Sequence, residues 1–500
     1  MLKLGKADGE EGLYSDHVVH APHLFSVLIC MLYNAMLVHG YSPASMISGT
    51  MIPIPKVKRQ IICASDNFRA ITLSSILGKI LDGIILEKEH AALCTSDLQF
   101  GFKSGTSTTH CTNVLMETVN YYNFNKTNVY VLLLDASKVF DRVKYCKLFK
   151  ELLKRDMSPL VLRLLLNMYT GQTLKVKWRN IVSEEFNVTN GVKQGGVLSP
   201  ILFSVYIDGL LNRLKDSGVG CYMGNHFTGA CGYADDLTLV CPTQKSLNML
   251  VRICEIYADE FDVTFNAKKS KLLLFVGREC NDPDVSVIVN GAKIEKSEST
   301  DHLGHNISTR DRDSICTNGV AAFWKSFNIF MSRFGHVYSF LKCKLFKQYC
   351  CSFYGAPLWN LNSSAADKIC IARRRALRKL WNVPPQTHNK TIALLSDTVP
   401  LDIQLKGRFD KYIKKCLVHK NKVISNTMKM AVINPWSVVG RNYRNMNVNM
   451  LHEWKLSVSQ NDVCENVFIK DLIDIREGHR TCEVFNATDV IMLIEHLCTK

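Results

Sequence analysis

Three aspartates stand where short motifs place acid at the ends of apolar runs. Asp135 closes Val-Tyr-Val-Leu-Leu-Leu and opens D-A-S-K-V-F-D, which ends on Asp141. Asp235 and Asp236 lie in Y-A-D-D, between two further apolar runs. A loop, G-V-K-Q-G-G at 191–196, leads into Leu198-Ser199-Pro200. Carboxylates crowded together resist joint ionisation until a cation joins them. Mg²⁺ takes oxygen ligands and keeps several waters, so it needs few protein carboxylates. Two such ions about 3.5–4 Å apart can activate a hydroxyl and stabilise a leaving oxygen during in-line displacement at phosphorus. Adjacent aspartates on a hairpin tip, facing another at a strand end, suit that chemistry.

Each feature alone has an ordinary explanation. Asp-Asp favours turns, because Asp bonds its own backbone. Asp135 alone reads as a helix cap. Gly195-Gly196 alone reads as a turn, and lysine-rich loops are usually solvated. Order and spacing have to decide.

The elements around them are legible. Val129–Leu134 is a continuous apolar run, as expected of a strand covered on both faces. Tyr145, Leu148, Phe149, Leu152 and Leu153 follow at helical spacing. Ser158-Pro159 and Ser199-Pro200 each read as a helix start. Residues 174–178 and 185–188 read as a strand pair. Residues 227–233 and 237–241 read as strands joined by Ala234-Asp235-Asp236. A helix from about Leu247 and a strand at 272–276 complete an α+β unit, with helices expected on one face of an antiparallel sheet. Met-Ile-Pro-Ile-Pro at 51–55 reads as an edge segment, since proline gives no ladder donor. Leu24–Leu32 is too short to span a bilayer and reads as a packed helix.

The chain carries 61 Lys+Arg against 45 Asp+Glu, a net charge of +16, which fits a nucleic-acid partner as readily as a solvated basic surface. Hydrophobic content of 47 % excludes wholesale disorder. The 19 cysteines show no C-x-x-C pair, so they read as mostly buried thiols in a reducing compartment. The densest positive run is Arg373, Arg374, Arg375, Arg378 and Lys379.

From Met51 to about Ile307 the order of motifs resembles the reverse transcriptase domain of non-LTR (LINE-like) retrotransposons. M-I-P-I-P-K with N-F-R-A-I-T-L, then Q-F-G-F with G-T-S-T, resemble its two opening finger motifs. D-A-S-K-V-F-D, G-V-K-Q-G-G-V-L-S-P-I-L-F, Y-A-D-D, F-N-A-K-K-S and H-L-G follow in the family's order. The resemblance implies a right-hand polymerase: fingers, a ferredoxin-like palm, a helical thumb and a helical C-terminal region. It implies that Asp135 and Asp235 ligate two Mg²⁺ (or Mn²⁺), that Asp236 supports them, and that the Ala136 carbonyl adds a ligand. Phe140 resembles the steric gate against a ribose 2′-hydroxyl. Gln194 and Gly195 would pack on nucleotide and template. Arg69 would meet the triphosphate, and Lys269, with Lys268 competing, would protonate the departing pyrophosphate. The basic run 373–379 would lie on the template–primer backbone. Substrates implied are an RNA template, a DNA primer and dNTPs; neither a membrane nor a particular oligomeric state is implied.

The expected division is a lead-in at 1–45, fingers and palm at 46–307, a basic thumb at 308–400, and an unassigned region at 401–500. The family carries an endonuclease before this region, and the chain is expected to begin at its trailing edge, as a truncated copy. Two departures stand out: Ala70 replaces a proline and His302 an aromatic, the latter bearing on the primer grip. No terminal knuckle forms from Cys482, His496 and Cys498. Such particles meet RNA in cytoplasm and chromosomal DNA in the nucleus. The rivals are an RNA-templated RNA polymerase, an intron-type reverse transcriptase, and a catalytically silent nucleic-acid-binding remnant of a retroelement.

Overall fold

The computed structural model describes residues 4–5, 12–56, 64, 67–137 and 139–446. Lys58, Arg59, the terminal Cys482, His496 and Cys498, and residues 1–3 and 6–11 of the lead-in lie outside them.

Two sheets organise the first two-thirds of the chain. In the smaller, β1 (Gly49–Pro55) pairs antiparallel with β2 (Phe68–Ser74) along its whole length. It also pairs parallel with β3 (Thr173–Trp178), but only over residues 49–51. The segment read as an edge is therefore central at its start. Its prolines, 53 and 55, lie beyond the reach of β3, where a missing donor costs no ladder bond. The return strand Phe186–Asn187 pairs with β3, as the sequence predicts, and a two-residue strand at Ile181–Val182 adds to it.

The larger sheet holds the aspartates. Its strands are β4 (Val129–Leu134), β5 (Ala230–Tyr233), β6 (Asp236–Cys241), β7 (Lys271–Phe275) and β8 (Glu295–Lys296), in the order β8-β7-β4-β6-β5. The helices that follow in sequence, α1 (Tyr145–Lys154), α2 (Pro159–Thr170), α3 (Ser199–Asp216) and α4 (Gln244–Phe261), begin within three residues of where the pattern puts them. Helix α4 starts earlier than Leu247 because Thr243 accepts the Ser246 N–H and caps it. Tyr130, Leu132 and Leu134 share one core with Leu210 and Leu211 of α3 and Leu250 of α4. Val129 and Val131 point the other way, onto Leu115 and Val119 of a further helix, Thr108–Phe124. Helices thus close both faces there, not one, which is what the unbroken apolar run of β4 requires.

A second core forms after residue 314. Phe323, Phe327 and Phe330 on Ser314–Phe334 meet Phe346 on Ser339–Cys350, and Ile369, Leu377 and Leu380 on Ser364–Trp381. The helix Leu401–Leu417 spans both cores: Leu401 and Leu405 belong to the second, Phe409, Ile413 and Cys416 to the first. Lys422–Ile433 and Val438–Arg444 continue along the first core, against Thr108–Phe124.

Helix His23–His39 packs by Tyr33 and Met36, while Leu24, Leu28, Met31 and Val38 are more than half exposed. Only one of its faces is packed. The described cysteines are all free and most are buried, Cys350 and Cys351 included. No described helix is long and apolar enough to cross a membrane.

Glu117, 3 % exposed on Thr108–Phe124, sits under the start of Val438–Arg444. Burial pushes its carboxyl up to about 7, against the opposing pull of the Ser437 hydroxyl, the Val439 N–H and Arg441. A carboxyl raised on folding favours the fold at low pH and loses that contribution as pH climbs to its folded value. Wild type should therefore lose of order 3 kcal/mol from this group between about pH 4.5 and 7, and Glu117→Gln should not. Thermal midpoints of the two proteins across that range check it; parallel curves would exclude the buried acid.

Candidate active site

Register builds the site. Leu237 pairs with Leu134, so the next residues, Asp236 and Asp135, lie side by side where β6 begins and β4 ends. Asp236 opposes Tyr233 across the hairpin, leaving Ala234 and Asp235 as its tip. Ala234 takes the left-handed region, φ 58°, which a small side chain tolerates best.

The tip is held from outside. Gln99 is fully buried, and its Oε1 accepts the Ala234 N–H at 3.1 Å and the Gly101 N–H at 2.9 Å. Phe100 N–H donates to the Gly232 carbonyl and Gly232 N–H to the Leu98 carbonyl, both at 2.8 Å, so Gln99 bridges the edge of β5 in parallel. A Cβ on Gly101 would fall 2.4 Å from the Ala234 nitrogen. Gly101→Ala must push the hairpin tip aside, and any turnover that depends on the aspartates is expected to fall by roughly 10²-fold, as a misplacement of about 1 Å can cause. Steady-state turnover measures this; near-normal rates would show that the tip has slack. Sequence reading placed Gln99 in a motif without a role, because a single glutamine gives no sign of which backbone it will bind.

Asp135 is fixed by its other neighbour. Its carbonyl accepts the Asn266 N–H at 2.8 Å, and its N–H donates to the Ser270 hydroxyl at 3.2 Å. Ala136 bridges Phe265 with Ser137 N–H on the Thr264 carbonyl, so the alternation of a strand turns the Ala136 carbonyl away from residue 265. Asn266 Oδ1 accepts the Lys268 and Lys269 N–H groups, shaping a turn that brings Lys269 Nζ to 3.8 Å from Asp135 Oδ2. Of the two candidate lysines, Lys269 is the one paired with the aspartate.

The charges interact as a cluster. Burial raises the Asp236 carboxyl to about 6, and Asp235 and Asp135 push it the same way. Asp235 is also raised, chiefly by lost hydration and by Asp135, while Arg69 on β2 and Lys269 pull it down. Arg69 is exposed and close enough to be felt at the carboxylates.

Three mutually repelling carboxylates suit a divalent cation. Among the described residues no group of three His, Cys, Asp or Glu side chains is placed to hold a metal ion by itself. A hard ion such as Mg²⁺ draws most of its ligands from water and phosphate. Asp135, Asp235 and the Ala136 carbonyl fit such a donor set.

The glycine loop lies across β2. The Gln194 carbonyl accepts the Thr72 N–H at 2.7 Å. Gly195 has φ 109°, and a Cβ there would sit 2.9 Å from the Thr72 carbonyl oxygen, so only glycine fits. Gln194 Nε2 donates to Asp141 Oδ1 at 3.3 Å, giving the second aspartate of D-A-S-K-V-F-D its place. Behind the loop, Asp82 accepts the Leu198 N–H at 3.4 Å, and Lys193 Nζ donates to the Ile47 carbonyl at 3.0 Å. Burial lifts Asp82 to about 6 and lowers Lys193 to about 8, each opposed by the other's charge. Neither was legible as an anchor, since the two lie 111 residues apart in sequence.

Phe140 is half-buried, stacked on Phe203 at 4.7 Å and edge-on to Phe102 at 6.4 Å. His302 turns inward: its Nε2 lies 3.3 Å from the Thr238 hydroxyl, and burial with His305 lowers it to about 4.

The run 373–379 splits. Arg373 is 4 % exposed and bonds the Val399 carbonyl at 3.3 Å, so it cannot reach a nucleic acid. Arg378 bonds the Thr387 carbonyl and Asn389 Oδ1. Arg374 is half-buried; Arg375 and Lys379 are exposed. Helical geometry explains the split, since consecutive arginines point in different directions.

Residues 54–307 match the profile of the family described as reverse transcriptase (RNA-dependent DNA polymerase). The RNA-directed DNA polymerase from mobile element jockey of Drosophila melanogaster is 25 % identical over 454 residues, 87 % of this chain and 48 % of the relative. The retrovirus-related Pol polyprotein from type-2 retrotransposable element R2DM, of the same organism, is 26 % identical over 321 residues, 62 % of this chain and 30 % of the relative. The chain thus spans about half or less of the length of these curated relatives. A solved structure of apo telomerase from Candida tropicalis aligns over 86 % of this chain and 74 % of its own, at 13 % identity and TM-score 0.41. The profile covers half the chain and takes in all but the first three residues of the two finger motifs, with Asp135, the glycine loop and the Y-A-D-D hairpin: the chain belongs to the reverse transcriptase family.

Proposed function

We propose that this chain is an RNA-directed DNA polymerase, adding dNTPs to a primer 3′-hydroxyl under an RNA template. The observation that carries the reading is the register that sets Asp135 beside the Asp235-Asp236 tip, within the influence of Arg69 and Lys269. Asp135, Asp235 and the Ala136 carbonyl would hold Mg²⁺, which when bound lowers the barrier by activating the hydroxyl and neutralising charge on the phosphates. Asp236 supports them through its own field. Arg69 binds the triphosphate, where a planar guanidinium suits phosphate oxygens. Lys269 stands ready to give a proton to the departing pyrophosphate. Gln194 and Gly195 seat the nascent pair, and Phe140 excludes a 2′-hydroxyl.

Residues 46–307 act as fingers and palm and 308–400 as the thumb, with Arg375 and Lys379 toward the duplex backbone. The template would be met in cytoplasm and the primer in the nucleus. Extension of a primed RNA template tests the reading. Mg²⁺-dependent dNTP incorporation is expected; preferential NTP incorporation, or extension that survives chelation, would overturn it.

A further inference from the structure

The family profile ends at residue 307, yet a groove of about 1140 Å³ is walled on one side by residues beyond it. Its inner end reaches the candidate active site, where Gly101 abuts Ala234 and Phe102 meets Phe140. Its floor includes Ile201 and Ser204 of α3, the helix that follows the Gln194–Gly195 loop. Its outer wall is the end of Leu401–Leu417 and the turn after it, with Lys415, Val418, His419 and Lys420.

That wall is built, not incidental. His419 Nε2 lies 3.1 Å from the Gly105 carbonyl oxygen, Asn421 Nδ2 donates to the Asp97 carbonyl at 2.7 Å, and Lys422 N–H donates to Asp97 Oδ2 at 2.8 Å. Of the five lysines in residues 411–422, Lys415 and Lys420 line the groove, where Asp97 is the one acid among the lining residues. Lys415 and Lys420 are exposed at the groove, and Val418 is 82 % exposed. Phe102, 45 % exposed, offers a ring face. His110, stacked on Tyr412 at 5.2 Å, is held neutral by burial and by His419, so the positive charge here is lysine. Phosphates met by lysines with bases on apolar or aromatic surface is how single strands are bound without sequence preference.

We infer that this groove holds the single-stranded RNA template ahead of the site, with Lys415 and Lys420 on its phosphates. The inference rests on the proposed polymerase reading for the identity of the strand. It differs from the expectation for 373–379, because it puts the free positive charge on a segment the sequence left unassigned.

The test compares two primer–template duplexes, one with a one-nucleotide and one with an eight-nucleotide RNA 5′ overhang. Dissociation constants are measured by fluorescence anisotropy with catalysis withheld. Wild type is expected to bind the longer overhang about 10-fold more tightly, and Lys415→Ala/Lys420→Ala to reduce that ratio to near one. The log–log salt slope on the long overhang should flatten by about 1.4, two single-strand phosphates' worth. Lys411→Ala/Lys414→Ala removes the same charge from the helix Leu401–Leu417, at residues that do not line the groove, and should keep the preference. Thermal midpoints of both variants identify any loss of fold. A preference retained in the 415/420 variant, or equal weakening on both duplexes, overturns the inference. If tight overhang binding holds while no dNTP is incorporated, the polymerase reading fails and the groove stands.

Discussion

Asp235→Asn is expected to cut Mg²⁺-dependent dNTP incorporation by on the order of 10³-fold or more, the scale on which preorganised charge stabilises a transition state. Asp135→Asn should match it, since both flank the same point where β4 and β6 begin and end. The double variant should lose little more than either single one, because residues acting as a unit are not additive. Stability should move the other way. Asp236 has its carboxyl raised to about 6 by burial and by its two neighbours. A raised carboxyl favours the fold below its unfolded value and costs stability once pH passes the folded one. At pH 8 and without metal, Asp236→Asn should therefore stabilise the fold by about 1–2 kcal/mol after solvent screening, read as a higher thermal midpoint. Single-turnover extension and metal-free melting decide both claims. Normal extension by Asp235→Asn would end the site assignment; a lower midpoint for Asp236→Asn would mean that the cluster is not under like-charge strain.

Phe140→Val should relax sugar discrimination. The ring is fixed on one side by Phe203 and from beyond by Phe102, so it cannot swing away from an added hydroxyl. Shortening it opens space without adding a polar group. The ratio of kcat/KM for dNTP over NTP is expected to fall roughly 10- to 100-fold, the range over which shape alone discriminates. The lost stack should cost about 1 kcal/mol of stability, too little to unfold the chain. An unchanged ratio would make Phe140 a packing residue only.

The site was readable where chemistry is local in sequence. A strand that ends on Asp135 and a hairpin that ends on Asp235 announce themselves by apolar runs, and register does the rest. What holds those parts was not readable. Gln99 grips Ala234 from 135 residues away, and Asp82 meets Lys193 beneath the glycine loop. Such partners are ordinary polar residues until a fold brings them together. The arginine run at 373–379 splits for a related reason: charge density along a chain says nothing of direction, and a helix turned Arg373 into its own core. The basic stretch at 411–422 is sparser, five lysines in twelve residues against five basic residues in seven, and it lies in the region the sequence left unassigned.

The helix Leu401–Leu417 belongs to two cores at once. Exchange of segments between related chains works best at seams where few contacts cross. Here the seam one would draw near residue 400 runs into a rod that is shared by both sides. A chimera that takes its thumb from one relative and its palm from another would inherit one half of that rod unmatched. Such exchanges should succeed only when Leu401–Leu417 travels with partners for both of its ends, so this part of the chain should evolve as a block.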